Sequence, residues 1–351
     1  MSKRFAPACS SLLGLALCHL ALGQPGSGNT LTSFSAPNAY QTYAVSINDA
    51  GAIGGNYIDT SSLVHGFERS PSGVFATFDA PGAGTGLGQG TWPTSINSAG
   101  EITGDYFDAG SIGHGFVRSP SGAFTTFDAP GIGLDATIPT SINAQGAITG
   151  YYYGGSAGAF VRSASGAMVT FNAPGAVGGT QAASINNSGV IAGWFADSTG
   201  VNHGFVRSAS GELTAFDAPG AGTSYPYGTQ AQSINAAGAI TGFYVDAGAV
   251  YHGFVRSPYG VVTTFDAPHA GTSAHLGTLA WGINQAGAVA GYVLGSKANW
   301  GFERGPSGDI QEFAGPGAAF DGSTFAFSIN RSITGYYYAG SDFYLGFVLT
   351  P

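Results

Sequence analysis

The sequence predicts an all-β protein: a seven-bladed β-propeller of four-stranded antiparallel blades, closed by an N-terminal strand that completes the last blade. Three observations point there. Ser-Ile-Asn recurs from Ser46, Ser95, Ser141, Ser184, Ser233 and Ser328, with Gly282-Ile283-Asn284 as a variant, giving seven occurrences 43 to 49 residues apart. A threonine stands four residues before each, from Thr42 to Thr324. That period holds four short strands and their turns, the size of a blade and longer than a solenoid coil. Finally, Leu31 to Pro37 reads as a fourth strand without its first three, and Thr324 to Leu349 supplies three strands without a fourth. Joined, the two fragments make one blade and remove the open edges of the array.

Within one repeat, strand A runs from Thr91 to Asn97, turns at Ser98-Ala99-Gly100, and continues as strand B from Glu101 to Phe107. Strand C is His114 to Ser119, followed by a turn at Pro120-Ser121-Gly122 and strand D from Ala123 to Asp128. Gly100 and Gly122 suit turn positions that need positive φ. Proline in Ala129-Pro130-Gly131 ends strand D because it donates no ladder hydrogen bond. The A–B and C–D turns are short, and the B–C and D–A connections are long and variable. The long loops share one face, where a ligand surface is expected.

Residues 1–23 read as a secretory signal: Lys3 and Arg4 precede an apolar run from Leu12 to Leu22, with small residues at the cleavage site. Residues 24–30 read as a short linker and 31–351 as the propeller. Both cysteines, Cys9 and Cys18, lie in the signal, so the exported chain relies on packing and not on disulfides. Without Lys3 and Arg4 it carries 8 basic and 19 acidic residues, a net charge of −11, and Lys297 is its one lysine. No basic run is present to hold nucleic acid or an anionic membrane, and no second stretch is long enough to insert in a bilayer. The expected species is a secreted or periplasmic monomer with no nucleic-acid partner.

The run Ser-Ile-Asn-x-x-Gly-x-Ile-x-Gly-x-Tyr, followed by His-Gly-Phe-Val-Arg-Ser, spans Ser95 to Ser119. It resembles the bacterial extracellular HAF repeats, named for a His-Ala-Phe motif that here is His-Gly-Phe. The resemblance covers Leu31 to Pro351 and implies an exported, propeller-like protein. The family has no established catalytic activity, so the resemblance supports location and fold and adds little on mechanism.

One constellation repeats in part. Register counting sets His65 opposite Asp79 across the C–D hairpin, and the same pair recurs as His114 with Asp128, His203 with Asp217, and His252 with Asp266. A further acid ends strand B in those same units: Asp59, Asp108, Asp197 and Asp246. Units three, six and seven lose all three residues together. The favoured reading is a hydrogen-bonded network that pins the B–C loop to its blade. The other is a divalent metal held by one imidazole and two carboxylates. No other cofactor is implied. The strand C arginines, such as Arg69 and Arg118, read as local structural partners.

Candidate ligand-binding residues are the loop-side aromatics Trp92, Trp194, Tyr225, Tyr227 and Trp300, with Tyr152 and Tyr337 where strand B ends. Such rings stack on sugar faces. With no catalytic motif in sight, the expected function is that of a secreted non-enzymatic binding or scaffold protein whose partner is a glycan or an extracellular protein. The alternative is a secreted polysaccharide lyase or glycoside hydrolase with a top-face pocket. For that reading the pattern-breaking acids Asp105, Asp135 and Glu212 come first.

Overall fold

The computed structural model describes residues 28–131, 133–316, 323–340 and 343–351, so the expected signal and most of the linker lie outside the described residues. Among the described residues the chain forms 28 strands and no helix. They fall into seven units of four. In unit 2 strands A to D are Gly90–Ile96, Ile102–Phe107, Gly113–Arg118 and Phe124–Phe127. The strand Thr30–Phe34 pairs antiparallel with Tyr344–Thr350, whose neighbours are Ile333–Tyr338 and Thr324–Ile329. The N-terminal strand therefore is the fourth strand of unit 7.

The expected purely antiparallel arrangement needs one correction, because the sheets are mixed. A single parallel bridge links strand C of one unit to strand A of the next, as at Val64 with Gly90, Asn202 with Gly228 and Tyr251 with Gly277. At Gly90 a side chain has no room: a Cβ would lie 2.1 Å from the Val64 carbonyl oxygen, and φ is +120°. Only glycine permits both the approach and the dihedral.

The signature residues are fasteners between units. Each repeat threonine accepts the backbone N–H of the residue two past the end of the preceding strand D, as Thr91 Oγ1 does from Ala80 at 2.9 Å and Thr42 Oγ1 from Ala36 at 3.0 Å. The serine Oγ accepts from the isoleucine N–H of the following unit: Ile96 to Ser46 at 3.2 Å, and Ile47 to Ser328 at 3.3 Å between the first and last units. The asparagine works in two directions. Asn143 Oδ1 accepts Gln145 and Ala147 N–H, which shapes its own turn, and its Nδ2 donates to the Asn186 carbonyl at 3.0 Å in the next unit. Gly282 breaks the serine series because a Cβ there would lie 3.0 Å from the Phe327 carbonyl.

Apolar residues are buried between consecutive units. The His-Gly-Phe phenylalanine (Phe67, Phe116, Phe160, Phe205, Phe254, Phe302, Phe347) is fully buried in every unit. It is joined by the first apolar residue of strand B, such as Ile53 and Ile102. One cluster joins Phe34 and Ala36 of unit 7 to Ile47, Ile53 and Phe67 of unit 1, so the last and first units share a core as the others do. At about 25 cal/mol per Å² of buried apolar surface, these interfaces carry most of the stabilisation.

Candidate functional site

The four Asp–His–Asp groups come together as bridges. His65 Nδ1 lies 2.9 Å from Asp79, and its Nε2 lies 3.5 Å from Asp59. The corresponding distances are 2.8 and 3.6 Å at His114, 2.9 and 3.4 Å at His203, and 2.9 and 3.5 Å at His252. Each imidazole packs on the strand B aromatic beside it, as His65 does on Tyr57 at 4.9 Å. The strand B acid is further committed to its own loop: Asp59 Oδ1 accepts Ser61 and Leu63 N–H at 2.8 and 2.9 Å. The Leu63 N–H, with those of Ser61 and the His65 ring, holds the Asp59 carboxyl below its usual range. The two carboxylates flank opposite ring nitrogens, whereas a metal needs its donors around one point. Among the described residues no three His, Cys, Asp or Glu side chains group as metal ligands.

Unit 6, which lacks this group, has a different one. Its strand D (Ile310–Phe313) carries Glu312, and the preceding D–A loop carries His269. Glu312 accepts the His269 backbone N–H at 3.0 Å with one oxygen and meets His269 Nδ1 with the other. The ring stacks on Trp300 with centroids 5.6 Å apart, and Trp300 occupies the place held by histidine in four other units. Glu312 is 7% exposed and His269 is 67% exposed, so the carboxylate is fixed while the imidazole faces solvent. The 295–298 loop lies against the His269 main chain: a Cβ on Gly295 would lie 3.1 Å from the His269 carbonyl oxygen. Lys297 is exposed on that loop. The sequence reading missed this pair, although Glu312 stands where units 1, 2, 3 and 5 have Thr77, Thr126, Thr170 and Thr264.

Strand A residues from every unit face one shared cavity. Each strand A has a register shift that leaves one residue unpaired, Thr94 in unit 2 and Trp281 in unit 6 among them. These residues, with Ser46, Ser184 and Ser328, surround a cavity of about 150 Å³. A second, of about 140 Å³, is lined by Asp49, Asn97, Asn143, Asn186, Gln285 and Asn330 near the A–B turns. Both lie along strand A and not among the long loops, where the ligand surface was expected. Part of the wall is aromatic, Trp281 against Phe327 at 5.5 Å; Phe327 in turn meets Tyr336 at 5.2 Å, and Tyr336 meets Tyr43 at 4.8 Å. Burial raises the Tyr43, Tyr292 and Tyr336 hydroxyls to about 12, so they stay protonated. Asp105 is 5% exposed, and burial pushes its carboxyl up to about 8.

The remaining candidates separate. Tyr152 and Tyr337 do not reach a ligand surface; they are buried between units, and Tyr337 donates to Ser33 Oγ. Strand alternation turns only every second residue of each Tyr-Tyr-Tyr run into the core. Trp92 and Trp194 are half-buried. Tyr225 is exposed over Gly200, and Tyr227 is half-buried beside Gly222. Asp135 and Glu212 are exposed. The strand C arginines lie 4.6 to 5.0 Å over the strand D phenylalanine of the preceding unit.

No protein-family model matches the chain, and no curated protein does. Solved structures do. Virginiamycin B lyase from Staphylococcus aureus is similar over 92% of this chain and 99% of its own, with 15% identity and a TM-score of 0.58. A prolyl endopeptidase structure matches 86% of this chain and 47% of its own, with 10% identity and a TM-score of 0.59. The BP39L lectin from Burkholderia pseudomallei matches 89% and 97%, with 9% identity and a TM-score of 0.54. These likenesses show a β-propeller-like all-β fold. They also correct the expectation of a non-enzymatic binding or scaffold protein, since enzymes stand among the matched chains, one of them along nearly its whole length.

Proposed function

We propose that the seven units close as a seven-bladed β-propeller and that the protein is an exported lyase acting on extracellular polysaccharide. Closure is supported by the Thr30–Phe34 pairing with the C-terminal strand and by the Ile47–Ser328 bond. Export is supported by the leader pattern at 1–23 and by the resemblance to the HAF repeats. The observation that carries the catalytic reading is His269 held by Glu312 on Trp300 with its ring open to solvent.

A carboxylate that accepts the Nδ1 proton leaves Nε2 as the free base and stabilises the imidazolium that forms when it takes a proton. In elimination, His269 Nε2 removes the proton from the carbon beside a carboxyl group. That electron pair forms a C=C bond as the neighbouring C–O bond breaks, and the leaving oxygen is protonated by water. Lys297, exposed on the loop that packs against the His269 main chain, supplies positive charge for the enolate.

The test is to incubate the chain from Gln24 to Pro351 with a panel of uronate-containing and neutral polysaccharides and to analyse the products. Unsaturated chain ends from a uronate polymer, absent with His269→Ala, support the reading. Unsaturated ends that persist in the variant, or no cleavage of any polymer, refute it.

A further inference from the structure

We infer that Asn56, Trp92 and Asp105 form a binding site for an acetamido group, the substituent of an N-acetylated amino sugar. The inference is independent of the proposed elimination, because it concerns different residues and requires no turnover.

Two buried donors at this place lack a partner in the protein: Asn56 Nδ2 and Trp92 Nε1. Asn56 is 4% exposed and Asp105 is 5% exposed. Leaving a buried donor unpaired costs about 1–3 kcal/mol, so such groups mark a place where something else bonds.

The register places the three side by side. Trp92 and Asp105 are cross-strand partners in unit 2. Asn56 stands at the unit 1 position whose counterparts are Tyr292 in unit 6 and Tyr336 in unit 7. Those counterparts meet Phe325 and Tyr43 of the next unit, the equivalents of Trp92, at 4.9 and 4.8 Å. Trp92 thus lies between Asn56 of the preceding unit and Asp105 of its own.

An acetamido group presents one carbonyl acceptor, one N–H donor and one methyl. Its carbonyl oxygen accepts from Asn56 Nδ2 and Trp92 Nε1, and its N–H donates to a carboxyl oxygen of Asp105. Tyr43, the cross-strand partner of Asn56, has its ring packed with Tyr336 and Tyr344 and offers an apolar flank for the methyl and the sugar face. No cationic side chain pairs with Asp105 among the described residues, so an anionic ligand would be buried without a counter-charge. A neutral amide meets no such penalty.

The test is titration calorimetry of the full exported chain with N,N′-diacetylchitobiose, its de-acetylated form and cellobiose. The expected result is binding of the acetylated disaccharide about tenfold or more tighter than either of the others. Trp92→Phe, which removes the one N–H and keeps the ring, weakens it by about tenfold at an unchanged melting temperature, the range of one lost hydrogen bond. Asp105→Asn, which keeps an acceptor oxygen in the same shape, retains binding, whereas Asp105→Leu loses it. Equal binding of cellobiose, no binding of any sugar, or an unchanged affinity in Trp92→Phe would overturn the inference.

Discussion

The backbone N–H of Ile47 donates to Ser328 Oγ at 3.3 Å, joining residues 281 positions apart in the chain. The same bond recurs between other consecutive units, so its presence here makes the junction of unit 7 with unit 1 chemically like the rest. Ser328→Ala is expected to lower stability by about 1 kcal/mol, the net value of one such bond. Removing residues up to Phe34 strips a strand from unit 7 and a ring from the shared core. That truncation is expected to abolish cooperative thermal unfolding; a cooperative melt near the full-length midpoint would show that the N-terminal strand is dispensable.

Asn143 makes three bonds, two within its turn and one to the next unit. Asn143→Ala is therefore expected to cost about 2–3 kcal/mol by urea denaturation, taking each bond near its usual net value. Asn143→Asp keeps the turn acceptor and loses the donor to Asn186. Its loss should be intermediate, and equal losses in the two variants would mean that the bond between units contributes nothing.

The Phe127 ring covers Gly115 so closely that an added Cβ would meet it at 2.6 Å. Gly115→Ala is expected to destabilise by about 1–3 kcal/mol through overpacking. A double variant that also shrinks Phe127 to Leu should recover part of the loss, which a denaturant titration of both variants would show.

Asp105 makes stability depend on pH. Its folded carboxyl is raised to about 8 from an ordinary 3.8, so between those values the folded state holds a proton that the unfolded state has released. Stability is then fully present below about 4, falls as pH rises towards 8, and levels off above it. Asp105→Asn should flatten the melting temperature across that window; an unchanged slope would assign the pH dependence elsewhere.

Much of the fold is legible in the sequence because turn glycines and alternating apolar residues recur at fixed offsets. Counting across the C–D hairpin was enough to set His65 against Asp79, and Gly66 pairs with Phe78 as that count requires. What the residues do between units is not legible in the same way. The second role of Asn143 depends on which unit lies beside it, and Tyr152 and Tyr337 depend on which face of strand B turns inward. His269 and Glu312 lie 43 residues apart, one in a loop and one in the next unit's outer strand, so no local pattern joins them. The expected leader at residues 1–23 lies outside the described residues.

The proposed elimination depends on His269 acting as a base positioned by Glu312. The most direct measurement is the initial rate of unsaturated-end formation on a cleaved uronate polymer by the native chain and by Glu312→Gln, an isosteric change that keeps a side-chain amide beside the ring. The expected result is a fall of about 100-fold or more in kcat with little change in KM, because general-base catalysis contributes in that range. A variant that turns over at the native rate would contradict it.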